Sequence, residues 1–172
     1  DIIRAYNIPI LETPGYEADD VIGTLALQGV EAGLEVHMVT PDKDYAQLVR
    51  PGIFMRRPGH GAAGMEKLGP TEVCEKYGIN NTEQVIDLLG LMGDTADNVP
   101  GCPGVGEKTA VKLINQFGSI DNLLENTDQL KGAMKKKVEE NIEQIKFSKF
   151  LVTIKTDIPI QLDLDALRTT DA

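Results

Sequence analysis

The first forty residues follow a strand-helix-strand pattern, which restricts the fold more than any other feature of the chain. Short apolar runs at residues 8–11 and 35–39 predict strands, and the intervening residues 19–31, which precede Gly33, are typical of a helix. Such a crossover joins parallel strands, so the loops after both strands leave one edge of the sheet. The pattern therefore predicts an α/β fold with a partly parallel sheet and a site at that edge.

The rest of the chain changes from strands to helices. Residues 53–56 and 65–68 flank a glycine-rich loop and predict a hairpin. Helical patterns follow over residues 70–77, 83–92, 108–117 and 130–150, and the last of these is one long amphipathic stretch. We expect Gly78 to end the first of these helices, and Thr82 with Glu83 to cap the second. The predicted domains are residues 1–80, residues 81–165 and a tail or linker over residues 166–172.

Composition indicates a soluble globular chain that works in a reducing cytoplasm. The 172 residues are 41% hydrophobic, and no apolar run approaches the length of about 20 residues that a membrane span needs. Cys74 and Cys102 form no CxxC pair, so neither a disulfide scaffold nor a zinc site is indicated.

The formal net charge of −10 at first disfavours a nucleic-acid partner, because Lys and Arg usually contact phosphate. Seven of the 27 acidic residues, however, fall into three clusters. Bound cations that neutralised those seven would change the net charge from −10 to −3. The clusters are Glu17, Asp19 and Asp20; Asp42 and Asp44; and Asp94 and Asp97.

Each acidic cluster alone has an ordinary explanation. The helix dipole favours acids in a first helical turn, a DxD pair is common in solvated turns, and Asp94 with Asp97 could cap a helix end. In extended chain, Asp42 and Asp44 would point to one side. Together, converging carboxylates repel unless cations separate them, and oxygen ligands favour Mg²⁺ or Mn²⁺ over zinc. Two such ions about 3.5–4 Å apart support in-line phosphoryl displacement.

A glycine-containing turn lies next to the third acidic cluster. Gly104 and Gly106 flank Val105 just before a predicted helix, so backbone N–H groups and the helix N-terminus could approach a phosphate. Lys108 would add a positive charge. A short GxG is usually only a tight turn, but its position between Asp97 and the EKTA segment makes this example more specific.

These motifs resemble those of the 5′-nuclease (flap endonuclease) superfamily. GDTADNVPG at 93–101 followed by GVGEKTA at 104–110 is similar to its helix-three-turn-helix motif, which would span about residues 83–117. GYEADDVIGTLA at 15–26, DKD at 42–44, LMGD at 91–94 and TIKTD at 153–157 narrow the resemblance to the 5′–3′ exonuclease domains of bacterial DNA polymerase I.

The resemblance implies a PIN-like nuclease core followed by a helical DNA-binding subdomain. It implies two Mg²⁺ or Mn²⁺ ions, with Glu17 and Asp19 nearer one, Asp42, Asp44 and Asp94 nearer the other, and Asp20 and Asp97 acting directly or through water. It implies that the turn grips duplex backbone without reading bases, with K⁺ between main-chain carbonyls and phosphate. The DNA-binding residues would be Gly104, Val105, Gly106, Lys108 and Thr109.

The implied activity is removal of RNA primers and 5′ flaps from nicked or primer-bearing DNA, in a chain that continues into 3′–5′ exonuclease-like and polymerase domains. The family's first strand, with its metal-bridging aspartate, and its helical arch are not found in this sequence. Two hypotheses follow: a metal-dependent nuclease whose residues 1–172 alone are inactive, or a duplex-binding module without catalysis.

Overall fold

The computed structural model describes residues 1–61 and 63–170, which form two compact units. The first unit contains Asp1–Val36 and the described residues from Ile154 onward, and the second contains His37–Thr153. The helices are α1 (Ile2–Ala5), α2 (Ala18–Glu31), α3 (Pro70–Tyr77), α4 (Gln84–Met92), α5 (Glu107–Phe117), α6 (Ile120–Glu125), α7 (Gly132–Glu140), α8 (Ile142–Val152) and α9 (Leu164–Leu167). The strands are β1 (Val36–Val39), β2 (Ile53–Pro58) and β3 (Met65–Leu68), and 3-10 helices span Lys43–Leu48 and Thr127–Gln129.

In the first unit, α2 holds the returning segment of chain through polar side chains spaced four residues apart. Asp20 Oδ1 accepts a hydrogen bond from the Lys155 N–H at 2.9 Å, and Thr24 Oγ1 accepts one from the Ile158 N–H at 3.3 Å. Gln28 donates to the Ile160 carbonyl at 2.8 Å and accepts from the Leu162 N–H at 2.7 Å. Because side chains at i, i+4 and i+8 share a helix face, this polar stripe fixes an extended segment without a strand ladder.

The strand predicted over residues 8–11 is wrong. These residues have no regular secondary structure, and Ile10 and Leu11 are 45% and 44% exposed. Pro9 has no N–H to donate to a ladder, which disfavours a strand at this position. The predicted parallel crossover therefore does not form, although the helix and the strand that follow it are present as α2 and β1.

The sheet has the order β1-β2-β3, and the predicted hairpin is confirmed. Strands β2 and β3 are antiparallel, with Met55 opposite Leu68 and Pro58 opposite Met65. Ile53 and Met55 alternate with more exposed neighbours and are almost fully buried. The α/β class predicted from the sequence is thus observed, followed by helices from α3 onward.

Helix α4 is the centre of the helical part of the second unit. Val85, Leu88 and Leu91 are at most 2% exposed, and an all-round apolar helix is expected to be buried. A Cβ on Gly90 would lie 2.9 Å from Ile120 Cδ1 and 3.2 Å from Lys149 Cα. The missing side chain at Gly90 therefore allows α6 and α8 to approach α4 closely.

Two details of the helical prediction are wrong. Thr82 does not cap α4, since its hydroxyl donates to the Val49 carbonyl. Glu83 is the N-cap as predicted but makes no side-chain cap bond, and the Asn81 side chain accepts from the Gln84 N–H at 3.2 Å. The long amphipathic stretch is two helices that break at Asn141, whose side-chain amide donates to the Lys137 carbonyl at 2.7 Å. Local bonds from such side chains compete with continuation of the helix.

Other boundaries agree with the sequence patterns. Helix α3 ends at Gly78 in the left-handed conformation, and α5 begins one residue before the predicted start. Along the described chain, every helix is too short or too polar to traverse a bilayer.

Candidate metal centre and nucleic-acid interface

Asp42 and Asp44 lie at the start of a 3-10 helix, and not in the extended segment that the sequence predicted. Asp42 is the N-cap of this helix, and its Oδ1 accepts a hydrogen bond from the Asp44 N–H at 3.0 Å. The following residues, Tyr45 to Leu48, are buried. Burial of that turn positions the two carboxylates at the point where the chain leaves β1.

Asp94 follows α4 in a short loop that closes on itself. Asp94 and Val99 exchange two backbone hydrogen bonds, of 2.9 and 2.8 Å, and Asp94 Oδ1 accepts from the Ala96 N–H at 2.9 Å. Gly93, with φ of +73°, makes this closure possible, since a Cβ there would lie 2.6 Å from the Val99 carbonyl oxygen. The loop therefore fixes the Asp94 carboxylate beside the end of α4.

Lys43 joins the two acidic segments of the second unit. Its Nζ lies 2.5 Å from Asp94 Oδ2, and the Asp94 side chain is only 10% exposed, whereas that of Lys43 is 46% exposed. The hydrogen bond from Lys43 lowers the pKa of Asp94, and the same bond raises the pKa of Lys43 against the opposing effect of burial. Sequence analysis missed Lys43, because its contact with Asp94 joins distant parts of the chain.

Asp44 lies within electrostatic range of the other predicted carboxylates of the second unit. Burial, followed by the charge of Asp42, raises the pKa of Asp44 to about 6, with smaller contributions from Asp97 and Asp94. The charges of Asp42, Asp94 and Asp97 therefore all act at Asp44, and assembly of the four residues into one metal site stays a prediction. In the described residues, Asp44 Oδ1 is a buried side-chain oxygen that no hydrogen-bond donor satisfies.

The acids of the first unit surround the N-terminus of α2. Glu17 is the exposed N-cap and Asp19 is half-buried. Both carboxylate oxygens of Asp20 accept backbone hydrogen bonds, Oδ2 from the Glu17 N–H at 3.3 Å and Oδ1 from the Lys155 N–H. That Glu17 and Asp19 act together with the acids of the second unit stays a prediction.

The carboxylates of the second unit fit a hard divalent cation in donor chemistry. Mg²⁺ and Mn²⁺ prefer oxygen ligands, and all of these side chains supply oxygen. In the described residues, the buried Asp44 Oδ1 has no hydrogen-bond donor and could accept such an ion. In residues 1–61 and 63–170, no three His, Cys, Asp or Glu side chains are already grouped closely enough to hold a metal. In this arrangement Asp94 is paired with the Lys43 ammonium.

The predicted phosphate turn follows the Asp94 loop directly. Gly101 and Gly104 have φ of +64° and +75°, and Val105 is 4% exposed, so the turn is anchored by one apolar side chain. Gly106 is the N-cap of α5 with an ordinary φ of −93°, and a Cβ there would meet nothing within 4 Å. The space beside Gly106 is therefore open among the described residues, and glycine is one of the residue types favoured at an N-cap.

Lysine side chains border the turn on two sides. Lys108, in the first turn of α5, is exposed, and Thr109 is half-buried behind it. From α7, Lys137 Nζ lies 2.7 Å from the position that a Cβ on Gly104 would take. The lysine run at residues 135–137 could be a solvated face, but only the structure identifies Lys137 as the lysine beside the turn.

A cavity of about 540 Å³ lies elsewhere in the second unit and contains none of the predicted site residues. It is lined by residues such as Arg50, Cys74 and Asn80. The charged groups that would perform phosphoryl chemistry lie outside it, so we place the candidate site at the carboxylates and not at this cavity.

Two family descriptions match consecutive parts of the chain. Residues 1–78 match the family described as 5′–3′ exonuclease, N-terminal resolvase-like domain, and residues 80–172 match 5′–3′ exonuclease, C-terminal SAM fold. DNA polymerase I of Bacillus caldotenax is 45% identical over 166 residues, which cover 96% of this chain and 19% of that relative. DNA polymerase I of Bacillus subtilis is 45% identical over 168 residues, or 97% of this chain and 19% of that relative.

The fold is also found among solved structures. A bacteriophage T5 flap endonuclease, in a pseudo-enzyme-product complex with DNA and metal ions, superposes with a TM-score of 0.76 at 20% identity, covering 90% of this chain and 56% of that chain. The chain spans about a fifth of the length of the curated relatives it matches. The family matches together cover nearly every residue, and the chain belongs to the 5′–3′ exonuclease family.

Proposed function

We propose that this chain is the metal-dependent 5′–3′ exonuclease and flap endonuclease portion of a bacterial DNA polymerase I. Its substrates would be RNA primers and 5′ flaps on nicked duplex DNA, removed during replication and repair. The observation that carries the proposal is geometric: Lys43, between Asp42 and Asp44, pairs with Asp94, and among the described residues the buried Asp44 Oδ1 lacks a hydrogen-bond donor. Carboxylates near one another repel, and a bound cation would relieve that repulsion.

The carboxylates would divide their work by position. Asp42, Asp44 and Asp94 would hold one Mg²⁺ or Mn²⁺ ion, and Glu17 and Asp19 would hold another. Asp97 would act through water, and Asp20 would mainly anchor the segment at Lys155, given its two backbone hydrogen bonds. When bound, such ions activate water and stabilise the leaving oxygen of a phosphodiester.

The turn before α5 would hold the DNA. Gly104 leaves room for the Lys137 ammonium and Gly106 leaves room for a phosphate, while Val105 anchors the turn. In this proposal Gly104, Val105, Gly106, Lys108 and Thr109 contact the DNA backbone. We include K⁺ between main-chain carbonyls of the turn and a phosphate as part of this proposal. Such contacts would be independent of base sequence.

The protein that contains this chain would extend beyond it. Because the chain matches about 19% of each polymerase relative, we propose that 3′–5′ exonuclease-like and polymerase domains belong to the same protein. We propose a nuclease core over residues 1–80 and a DNA-binding subdomain over 81–165, with residues 166–172 as a linker. Its DNA substrate would place it in the cytoplasm, at the nucleoid.

Cleavage of a labelled 5′ flap by the full-length protein tests the proposal. With a 5′ label, release of short products separates this activity from any 3′–5′ degradation. We expect Asp42→Asn to lower the Mg²⁺-dependent rate at least 100-fold while the protein stays folded. Asp128→Asn, an exposed acid in a 3-10 helix outside the cluster, removes the same charge and should cleave normally.

The alternative is a duplex-binding module without catalysis. It is favoured by the exposed turn and by Lys137, which need no metal to contact phosphate. Undiminished cleavage by Asp42→Asn would refute the proposed metal site. Duplex binding without any flap cleavage by the wild-type protein would instead support the module.

A further inference from the structure

The ammonium of Lys43 is held by Asp94, one of the proposed metal ligands. Its Nζ contacts Asp94 Oδ2, and Lys43 is flanked in sequence by Asp42 and Asp44. Asp94, Asp44 and Asp97 all act on Lys43 through their charges. Lys43 therefore places a charge of +1 at Asp94, where the proposed function requires a divalent cation.

We infer that Lys43 is a resident counter-ion of Asp94 that a divalent cation displaces on binding, so that Lys43 sets the cation concentration at which the site fills. This inference rests on the proposed function, because it takes Asp94 as a metal ligand. A doubly charged ion at Asp94 would repel the ammonium strongly at hydrogen-bond distance. Because both cations would lie against Asp94 Oδ2, this repulsion favours release of the singly charged lysine.

The local structure allows the lysine to leave while the carboxylate stays in place. Asp94 is held by the Ala96 N–H on Oδ1 and by its two backbone bonds with Val99. Lys43 has a long flexible side chain that is 46% exposed, and its Asp94 bond is the ion pair that fixes its ammonium. Displacement therefore requires movement of one side chain into solvent and no change in the backbone.

The competing explanation is a permanent structural ion pair. In that case the Lys43–Asp94 contact would persist when cations bind, and removing Lys43 would loosen the loop at Asp94. Divalent affinity would then fall or stay constant. Displacement predicts the opposite, because each cation bound to the wild-type protein must first break the Lys43–Asp94 pair.

The test is a titration of the full-length protein with Mn²⁺ alone, followed by electron paramagnetic resonance of the free ion. The Asp94-dependent component of binding is identified by comparison with Asp94→Asn. We expect Lys43→Met to bind Mn²⁺ at that component at least fivefold more tightly than wild type. Lys43→Gln is a second neutral variant and should bind Mn²⁺ equally tightly. If one of the two variants misfolds, the other still tests the inference.

Lys136→Met is the matched control, because it removes one positive charge from an exposed residue that pairs with Glu140. It should leave the Mn²⁺ affinity within twofold of wild type. Equal or weaker binding by both Lys43 variants would overturn the inference, as would a structure with bound Mg²⁺ in which Lys43 Nζ still contacts Asp94.

The outcomes separate this inference from the proposed function. If Asp42→Asn abolishes cleavage but neither Lys43 variant binds Mn²⁺ more tightly, the displacement is wrong and the nuclease site stands. If no Mn²⁺ binding depends on Asp94, the displacement is also wrong. The nuclease proposal is then decided independently by the cleavage rate of Asp42→Asn.

Discussion

Asp87 Oδ1, on α4, accepts a hydrogen bond at 3.0 Å from the backbone N–H of Ile120, the first residue of α6. Ile120 is fully buried, and Asp87 is 7% exposed. Lys149, on α8, approaches the same oxygen at 3.4 Å. Burial raises the pKa of Asp87, although the Ile120 N–H and Lys149 oppose that effect. One carboxylate thus links three helices of the second unit.

We expect Asp87→Ala to lower the free energy of unfolding by about 2–4 kcal/mol, because a buried N–H loses its acceptor and Lys149 loses a partner. Asp87→Asn keeps an acceptor of the same shape and should cost about 1 kcal/mol or less. Asp121→Ala removes the exposed partner of Lys149 and should cost under about 1 kcal/mol. Urea unfolding measures all three, and similar losses for Asp87→Ala and Asp121→Ala would contradict the role of the Ile120 bond.

The second prediction concerns Gln28 in the polar stripe of α2. Gln28→Ala removes one bond to the Ile160 carbonyl and one from the Leu162 N–H, so we expect a loss of about 1–3 kcal/mol in stability. Hydrogen exchange at Leu162 should accelerate, since its amide loses its acceptor. Gln129→Ala, at an exposed residue with a 3.5 Å contact to Asn126, should change neither quantity. Unchanged exchange at Leu162 would show that the Gln28 contact does not hold the segment.

The raised pKa of Asp44 predicts a pH-dependent stability in metal-free protein. The folded state holds this proton more tightly than the unfolded state, whose pKa is near 3.8, so the stabilisation is complete below 3.8 and is lost as pH rises through about 6. Asp44→Asn should therefore be more stable than wild type at pH 7.5, by about 1 kcal/mol after allowance for solvent screening.

Chemical unfolding in EDTA at pH 4 and pH 7.5 measures this difference. The advantage of Asp44→Asn should vanish at pH 4, where the wild-type carboxyl is mostly protonated in the folded state. Asp128→Asn removes a fully solvated acid and serves as the control. An equal advantage at both pH values would mean that ionisation of Asp44 is not its source.

Local sequence signals predicted those elements whose cause is local. The hairpin, the end of α3 at Gly78 and the start of α5 follow from glycine positions and apolar periodicity, which act within a few residues. The prediction over residues 8–11 failed because an apolar run does not reveal whether a neighbouring strand is available. The break at Asn141 was missed because a side chain competing for a carbonyl leaves the periodicity unchanged.

For the candidate site, too, local signals predicted only the features that have a local cause. Aspartates with close spacing identified Asp42, Asp44 and Asp94 as candidates, and the structure places these three and Asp97 in one unit. The contacts of Lys43 with Asp94 and of Lys137 with Gly104 span 51 and 33 positions of the chain. Such contacts depend on how α4, α5 and α7 pack, so no local pattern could have predicted them.

Lys137 provides a test of the proposed DNA interface. Because its ammonium lies against Gly104 in the turn before α5, we expect it to contact a phosphate bound there. Lys137→Ala should weaken binding of a nicked duplex about three- to tenfold at low salt, equally for unrelated base sequences. It should also reduce the slope of log affinity against log salt by about 1, the change expected for one lost phosphate contact.

Fluorescence anisotropy in EDTA measures binding without cleavage. Lys136→Ala removes the neighbouring lysine of α7, which pairs with Glu140, and should keep the wild-type slope. Identical slopes for Lys137→Ala and Lys136→Ala would place the bound duplex away from this turn.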